Sequence, residues 1–563
     1  MTYATSSAGR WPNASPWIGS AWGWTVASAL AAVVVLLPIL SVAWIALSGT
    51  ESIWPHLTST VLPRALWCTS VLLVGTAALT LITGTLTAWI VTMFRFPGRE
   101  IADRMLVLPL AIPVYIVSYA YVELLDYAGP VQTLLRSVLD VTSPAGYWFP
   151  EIRSLSGAVA IFSLTLYPYV YLSARASFIQ QSVCVLEVAR TLGQTASGAF
   201  WSIALPLARP ALVAGVALVM MECLNDLGAV QYLGVETLSA SIFATWTQRS
   251  NLPGAAQLAL VMLGFVIALL LTERAARGGG AVHATTGRYR AIPFETLTGW
   301  RASVALAAVL FPVVVGFLVP FLVLLVHAAS HLRDLDTASF AASARNSLVL
   351  ASVVSCAAVL VALAIGYAVR LHGSPSTLVS ARVASLGYAL PGTVLAIGLL
   401  GPLAAFDNTI DAWMRVHAGV STGLLLSGTL VAVSLALVIR FLAVALGAVE
   451  AGLERISPNV DAAAKTLGAN SWTGLRGVHL PMLKPAVGAA ALLVFVDAMK
   501  ELPATLLLRP FNFETLATRV YGLTAAEQFE EAAVCAAAIV VIGLIPVLLL
   551  HRTIAGGRSG GAG

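Results

Sequence analysis

Charged side chains are scarce in this sequence. Asp, Glu, Lys and Arg make up only 10% of its 563 residues, while 59% of the residues are apolar. A soluble protein carries roughly 25% charged residues. The 31 basic residues are dispersed between apolar stretches, which excludes the continuous basic face that binds nucleic acid. The composition therefore predicts a protein whose solvent is a lipid bilayer.

Lysine is nearly absent, and none of the three lysines (Lys465, Lys484 and Lys500) follows a glycine. The phosphate-binding loop of ATP-hydrolysing proteins needs a Gly-Lys pair, so this chain is not expected to hydrolyse ATP. The five cysteines include no C-x-x-C pair, and the eight histidines show no pair at metal-ligand spacing. Without an HExxH motif or a nucleophile–base set, we predict neither an enzyme nor a cofactor, and we assign no metal site.

Twelve apolar stretches are long enough to cross a membrane, which takes about 20 residues. Each is expected to be a helix, because lipid offers backbone groups no hydrogen-bond partner. The predicted fold class is an all-α polytopic membrane protein with about 12 transmembrane helices. The centres of the predicted spans lie near Val33, Ala77, Val114, Ser163, Val216, Phe265, Val314, Val359, Ala396, Leu435, Leu493 and Val540.

The basic residues predict the orientation of these spans. Cytoplasmic loops are enriched in Lys and Arg, and a cytoplasmic N-terminus places 21 of the 31 basic residues on that side. Both termini are then cytoplasmic. The strongest single signal lies between the sixth and seventh spans, where five arginines flank a Gly-rich centre. The first apolar run, about residues 22–47, is too long for a signal-peptide core and is expected to be a retained span.

Two polar segments repeat one another at a constant offset in the numbering. They read "EVARTLGQTASGAFWSIALPLARPAL" and "AAAKTLGANSWTGLRGVHLPMLKPAV", and in the window Ala189–Val213 against Ala464–Gly488 eight of 25 positions are identical. Each lies between the fourth and fifth span of its own half. We therefore predict two tandem parallel six-helix repeats, residues 1–285 and 286–563, with the pathway between them.

Both polar segments follow one local pattern. A helical stretch ends at a glycine, a second short helix follows, and a Leu-Pro pair comes next, with the same spacing from glycine to proline in both copies. Glycine can adopt the left-handed conformation that ends a helix. Two short helices meeting at a glycine form a compact knob, and two such knobs fit a dimeric partner. The alternative is a generic loop between spans.

This pattern resembles the coupling-loop signature of permease subunits of ABC importers. In that family the loop docks into a cleft of an ATP-hydrolysing subunit and transmits its motion to the membrane helices. The matching positions are Glu187, Ala189, Gly193, Leu205 and Pro206 in the first loop, and Ala464, Gly468, Leu480 and Pro481 in the second. The second loop departs from the signature, because Ala462 replaces the acidic residue and the nearest carboxylate is Asp461.

The resemblance covers nearly the whole chain and implies several partners. They are two copies of a cytoplasmic ABC ATPase subunit, a periplasmic or lipid-anchored substrate-binding protein, and the lipid bilayer of the bacterial inner membrane. No nucleic acid is implied.

Acidic residues follow each loop at the same offset. Glu222 and Asp226 are four residues apart, as are Asp497 and Glu501, and each pair is predicted to share one helix face. A carboxylate inside a membrane costs roughly 2.5–3.5 kcal/mol on insertion scales. We therefore interpret the four as steps in a cargo pathway that favours a hard cation with oxygen ligands. The alternative places them near the outer ends of their spans, hydrated or paired with basic residues.

The stretches "LNDLGAVQYLGVETL" and "KELPATLLLRPFNFETLATRVY" resemble fused two-half permeases of ferric iron importers. This resemblance implies that a binding protein delivers iron to the outer mouth. Related permeases for thiamine, phosphonates, polyamines or sulfate share the architecture and remain alternatives. Twelve spans in two halves also fit an ion-driven secondary transporter, although such a carrier has no use for a coupling loop.

Overall fold

The computed structural model describes residues 22–48, 53–141, 143, 146–180, 196–277 and 295–556. Within these ranges the chain is almost entirely helical. Loops and turns join the helices, and the strands of the described residues are β1 (Phe94–Arg95) and β2 (Glu295–Thr296), which pair in parallel. The all-α prediction is confirmed.

The helices up to residue 277 belong to the first predicted half. They are α1 (Trp22–Ser48), α2 (Trp54–His56), α3 (Leu62–Met93), α4 (Arg99–Met105), α5 (Val114–Leu125), α6 (Pro130–Leu139), α7 (Leu155–Gln180), α8 (Ala196–Ala199), α9 (Leu205–Asn225), α10 (Gly228–Tyr232), α11 (Leu238–Thr247) and α12 (Leu252–Arg277). A π-helical turn joins α2 to α3 at Leu57–Val61, and a second joins α8 to α9 at Phe200–Ala204. A 3₁₀ turn, Leu108–Ala111, precedes α5.

The helices from residue 300 onward repeat this sequence of elements. They are α13 (Trp300–Val313), α14 (Val319–His331), α15 (Thr337–His372), α16 (Pro375–Ala384), α17 (Gly392–Ala418), α18 (Leu430–Glu454), α19 (Pro458–Thr466), α20 (Ser471–Gly474), α21 (Leu480–Met499), α22 (Pro503–Leu508), α23 (Leu516–Ala525) and α24 (Phe529–Gly556). π-helical turns at Val314–Leu318 and Leu475–His479 join α13 to α14 and α20 to α21, and a 3₁₀ turn at Ser385–Ala389 precedes α17.

The described residues contain eleven helices long and apolar enough to cross a membrane, or twelve if a bent pair counts as one span. The bent pair, Arg99–Ala111 and Val114–Leu139, turns by 94° at the predicted third span. Pro113 causes the break, because proline has no N–H and stands in the extended conformation before α5. Pro391 stands in the same way before α17. The predicted number of about twelve spans is confirmed.

The repeat is visible in the backbone at the second polar segment. The π-helical turns Phe200–Ala204 and Leu475–His479 are related by the same offset that aligns Ala189 with Ala464, as are the helices on either side of them. A π turn widens a helix by one residue and is rare. The same rare element at the offset found in the sequence supports duplication of one structural unit.

The helices form two packing units, each containing segments from both predicted halves. One unit comprises Met1–Leu57, Ile242–Leu263 and Asp336–Arg519. Here α15, α18 and α21 pack against one another, while α1 lies along α16 and α17. A Cβ atom at Gly398 would stand 2.3 Å from the carbonyl oxygen of Pro38 in α1. Only glycine allows this approach of α1 to α17.

The other unit comprises Thr58–Ser241, Gly264–Leu335 and Val520–Gly563. In it α3 packs against α7 and α9, while α14 lies along α24. Gly543 in α24 lets this helix approach the 3₁₀ turn before α5, because a Cβ atom there would stand 2.5 Å from the carbonyl oxygen of Ala111. The predicted division into residues 1–285 and 286–563 separates the two copies of the repeat, and its boundary differs from those of the two packing units. That division stays a prediction.

Candidate functional site

The second polar segment forms a small knob of two short helices. The first helix, α19, is capped by Ser457, whose hydroxyl accepts the N–H of Asn459, and it is followed by Gly468 with φ +81°. The N–H of Gly468 donates to the carbonyl of Lys465, and that of Ala469 to the carbonyl of Ala464. This pair of bonds is the Schellman motif, and the left-handed conformation it needs is the reason for glycine.

The second short helix starts shortly after that glycine. Asn470 and Thr473 cap it reciprocally: the Asn470 side chain accepts the N–H of Thr473 at 2.8 Å, and the Thr473 hydroxyl accepts the N–H of Asn470 at 2.7 Å. The π turn then leads into α21, which begins at Leu480 with Pro481 in its first turn, where a missing N–H costs nothing. Local sequence therefore determines the two short helices and the turn between them.

The Asp461 carboxylate ties this knob to the membrane helices. Its Oδ2 lies 2.7 Å from Nη2 of Arg370 at the end of α15, and its Oδ1 lies 2.6 Å from Nε2 of His479 before α21. The Arg370 guanidinium also donates to the carbonyls of Leu453 and Ile456, at the end of α18 and just beyond it, at 2.6 and 3.0 Å. One carboxylate thus connects α19 to three spans.

The side chains that form these contacts are shielded from solvent. The side chains of Arg370 and Asp461 are 6% and 13% exposed, and His479 is fully buried. Burial on its own would raise the pKa of Asp461, but the hydrogen bonds from His479 and Arg370 outweigh it and hold the pKa below its usual range. Asp461 is therefore ionised in the folded protein at neutral pH.

Aromatic side chains close the side of the knob that faces the helices. The Tyr367 hydroxyl donates to the carbonyl of Ser471 at 2.8 Å, and its ring packs edge-on against Trp24 of α1. Trp24 also stacks on Trp472. The opposite side of the knob is exposed: Leu467, at the glycine turn, is 87% exposed.

The first polar segment is described only in part. Glu187, Ala189 and Gly193 lie outside the described residues. Leu205 and Pro206 open α9 as Leu480 and Pro481 open α21, after matching short helices and π turns. The position equivalent to His479 holds Ala204, and the position equivalent to Asp461 holds Leu186.

The prediction that Glu222 and Asp226, and likewise Asp497 and Glu501, share one helix face is wrong. α9 ends at Asn225 and α21 ends at Met499, so Asp226 and Glu501 lie beyond their helices. The two members of each pair do not share a helix face, because the helix stops between them. Both residues instead lead into the short helices α10 and α22.

Asp226 and Glu501 cap those short helices. The Asp226 carboxylate accepts the N–H of Ala229 at 2.7 Å. The Glu501 carboxylate accepts the N–H groups of Ala504 and Thr505 at 2.9 and 3.0 Å, and the Thr505 hydroxyl at 2.6 Å. Each carboxylate thereby satisfies backbone donors that a helix N-terminus otherwise leaves without partners.

Glu501 also forms a buried ion pair. Its Oε1 lies 3.4 Å from Nη1 of Arg440 in α18, and both side chains are at most 6% exposed. Sequence reasoning did not identify Arg440 as a partner, because the two residues are far apart in the chain. Asp497 is half-buried and lies 3.0 Å from Nζ of Lys500, and Glu222 is half-buried on α9. Within the described ranges no three His, Cys, Asp or Glu residues are grouped as a metal site would need.

Comparison with known proteins identifies the family. A family model described as "Binding-protein-dependent transport system inner membrane component" matches residues 80–331 and again residues 357–557. The chain belongs to this family. The two matches confirm both the resemblance to ABC importer permeases and the internal repeat, and they place this permease in the inner membrane as a multi-pass protein.

Several relatives of this permease transport different solutes. The Fe(3+)-transport system permease protein FbpB 2 of Haemophilus influenzae is 26% identical over 473 residues, which are 83% of this chain and 86% of the relative. The sulfate transport system permease protein CysT of Escherichia coli is 30% identical over 34% of this chain and 67% of its own length. The molybdenum transport system permease protein ModB of Escherichia coli is 26% identical over 34% of this chain and 82% of its own length. The match to FbpB 2 confirms the resemblance to fused iron permeases.

Proposed function

We propose that this permease carries ferric iron across the inner membrane as the membrane-spanning subunit of an ATP-driven importer. The observation that carries the proposal is the relationship to the Fe(3+) permease FbpB 2, which extends over both halves. The sulfate and molybdenum relatives match about one third of the chain. Related transport systems for 2-aminoethylphosphonate support the second candidate function, a permease for another small solute.

Two cytoplasmic ATPase subunits drive the importer, one at each knob. The exposure of the knob at Gly468 supports docking there, since Leu467 at its turn is 87% exposed. The first polar segment, with Glu187, Ala189 and Gly193, binds the second ATPase subunit. Both termini of the permease are then cytoplasmic, and the permease itself is not an enzyme.

A substrate-binding protein, periplasmic or lipid-anchored, delivers cargo at the opposite side. The cargo then passes the half-buried carboxylates Glu222 and Asp497, in the last turns of α9 and α21. Asp226 and Glu501 support this pathway through their capping of α10 and α22. Oxygen ligands of this kind suit a hard cation.

Uptake of radioactive ferric iron by cells with and without the gene tests the cargo. Loss of uptake on deletion, restored by the wild-type gene, is the expected result. Unchanged iron uptake on deletion, together with lost uptake of sulfate, molybdate or a phosphonate, would replace iron by that solute and keep the permease assignment.

A variant pair tests the pathway. Replacing Glu222 and Asp497 with Gln and Asn is expected to abolish uptake at unchanged protein level, since it removes charge from the pathway and leaves both caps intact. Normal uptake in that variant would remove these carboxylates from the pathway.

A further inference from the structure

The two polar segments of this permease have different residues at the position of the family's acidic residue. In the first loop that residue is Glu187, whereas in the second it is Ala462, which is exposed and uncharged. The nearest carboxylate of the second loop, Asp461, points inward and is only 13% exposed. The second loop therefore presents no carboxylate at the family's position.

We propose that Asp461 is a positioning residue that latches the second knob to its own membrane helices, and that this knob binds its ATPase subunit through the exposed Leu467. The inference rests on the proposed docking of an ATPase at this knob. It goes further by assigning separate tasks to the two residues.

The latch has the geometry of an internal joint. Asp461 on α19 engages Arg370 at 2.7 Å and His479 at 2.6 Å, and Arg370 at the same time holds the carbonyls of Leu453 and Ile456. Hydrogen bonds to charged groups of this kind are roughly twice as strong as neutral ones. Displacement of the knob therefore pulls on the ends of α15 and α18 and on the start of α21 together.

The first loop lacks two parts of this latch. Arg95 occupies the position of the first repeat that is equivalent to Arg370, so the basic residue is present in both halves. His479 is replaced by Ala204, and Asp461 by Leu186. The carboxylate and the imidazole that form the joint of the second loop are therefore absent from the equivalent positions of the first repeat.

The surface left for the partner is apolar with a basic rim. Leu467 is 87% exposed at the tip, Ala462 and Ala463 are exposed beside it, and Lys465 and Arg476 are exposed around it. Charge complementarity points to an apolar cleft with acidic residues at its edge on the ATPase subunit that docks here. A cleft that binds the Glu187 loop instead needs a hydrogen-bond donor for the carboxylate of Glu187.

A double-mutant cycle tests the latch in the assembled importer. The variants are Arg370→Met, Asp461→Asn and the two combined, with Gly477→Ala as the control, because nothing lies within 4 Å of a Cβ atom there. Two quantities are measured: the affinity of the purified permease for its ATPase subunit, and the ATP hydrolysed per ion of ferric iron taken up by proteoliposomes. Each single latch variant is expected to weaken ATPase binding about tenfold and to raise the ATP cost per ion.

Non-additivity decides between a latch and a docking contact. If Asp461 acts through Arg370, the double variant is no worse than the worse single variant. Losses that multiply in the double variant would overturn the latch and make Asp461 a direct contact. If a single variant fails to fold, the double variant is expected to recover part of the lost melting temperature, because neither Arg370 nor Asp461 is left as an unpaired charge, although the bonds to the Leu453 and Ile456 carbonyls stay lost. A double variant as unstable as the worse single variant would also overturn the latch.

A variant in which the carboxylate is moved from position 461 to position 462 tests the latch independently. The variant Asp461→Ala with Ala462→Glu restores the family's acidic position but removes the latch, and we expect it to remain as defective as Asp461→Asn. Full ATPase binding by this variant would overturn the proposal. Because ATPase binding is measured without cargo, a failure of the iron assignment would abolish only the uptake readout and leave the latch result interpretable.

Discussion

Asp226 and Glu501 perform the same task at equivalent places in the two repeats. Each lies just beyond a membrane span, and each accepts the N–H of the alanine three residues later, Ala229 or Ala504. Glu501 in addition lies beside the buried Arg440, 3.4 Å from its Nη1. The two caps are therefore alike in geometry, and the buried ion pair with Arg440 adds to the Glu501 cap, which leads to the first prediction.

Glu501→Gln is expected to destabilise the permease more than Asp226→Asn. The glutamine leaves Arg440 without its counter-ion in a buried site, and breaking such a pair costs about 3–5 kcal/mol. Thermal unfolding in detergent is the measurement, with Asp226→Asn as the matched variant. A native melting temperature for Glu501→Gln combined with lost transport would instead assign this carboxylate to the cargo pathway.

Gly398→Ala is expected to destabilise the packing of α1 against α17. The new methyl group would stand 2.3 Å from the Pro38 carbonyl oxygen, and overpacking of this kind typically costs about 1–3 kcal/mol. Gly447→Ala in α18 is the control, because nothing lies within 4 Å of a Cβ atom there. Equal melting temperatures for the two variants would contradict the close approach.

Gly468→Val is expected to weaken ATPase docking, because a β-branched residue does not tolerate the φ of +81° at the turn. Asparagine tolerates that conformation better, so Gly468→Asn is expected to retain more binding. Binding of the purified ATPase to each variant is the measurement, and Gly477→Ala, in the π turn with open space around it, is the control. Equal losses for valine and asparagine would show that the turn does not depend on backbone conformation.

Leu467→Ser is expected to weaken ATPase binding at the second knob, while Leu467→Met is expected to have little effect. Full burial of a leucine side chain contributes about 1.5–3 kcal/mol, which corresponds to roughly a ten- to hundred-fold change in affinity. Since Leu467 is 87% exposed in the permease alone, its replacement leaves the fold intact. A serine variant with wild-type affinity would show that the ATPase does not bury this residue.

The stabilising effect of the Asp461 latch is expected to be independent of pH down to about pH 4. The pKa of Asp461 is lowered in the folded state, so its contribution is fully present above the unfolded value, about 3.9, and is lost as the pH falls through the lower folded value. Melting temperatures of wild type and Asp461→Asn across this range are the measurement. A difference between the two proteins that disappeared between pH 7 and pH 5 would contradict the lowered pKa.

The sequence predicts local features of this fold well. Hydropathy places the spans, the π turns at Phe200 and Leu475 reproduce the offset between the repeats, and the turn at Gly468 has the expected left-handed conformation. These features depend on residues close together in the chain. They can therefore be derived from periodicity, capping and backbone preferences.

The partners of the acidic residues could not be predicted in the same way. Arg370 is 91 residues from Asp461, and Arg440 is 61 residues from Glu501. No local pattern connects them, although the repetition of a basic residue at Arg95 and Arg370 was a signal that could have been followed. The sequence also does not reveal where α9 and α21 end. A carboxylate four residues after another has the spacing of one continued helix, although here it caps the next short helix.

The position of α1 bears on how the two repeats came to share one polypeptide. The unit that contains α15, α18 and α21 also contains α1, and the unit built on α3, α7 and α9 contains α14 and α24. A gene cut between the repeats would thus yield two products, neither of which holds all helices of either unit. Their encounter in the membrane would depend on the abundance of both. Fusion makes that encounter intramolecular and sets an equal ratio of the repeats at synthesis, whatever the expression level.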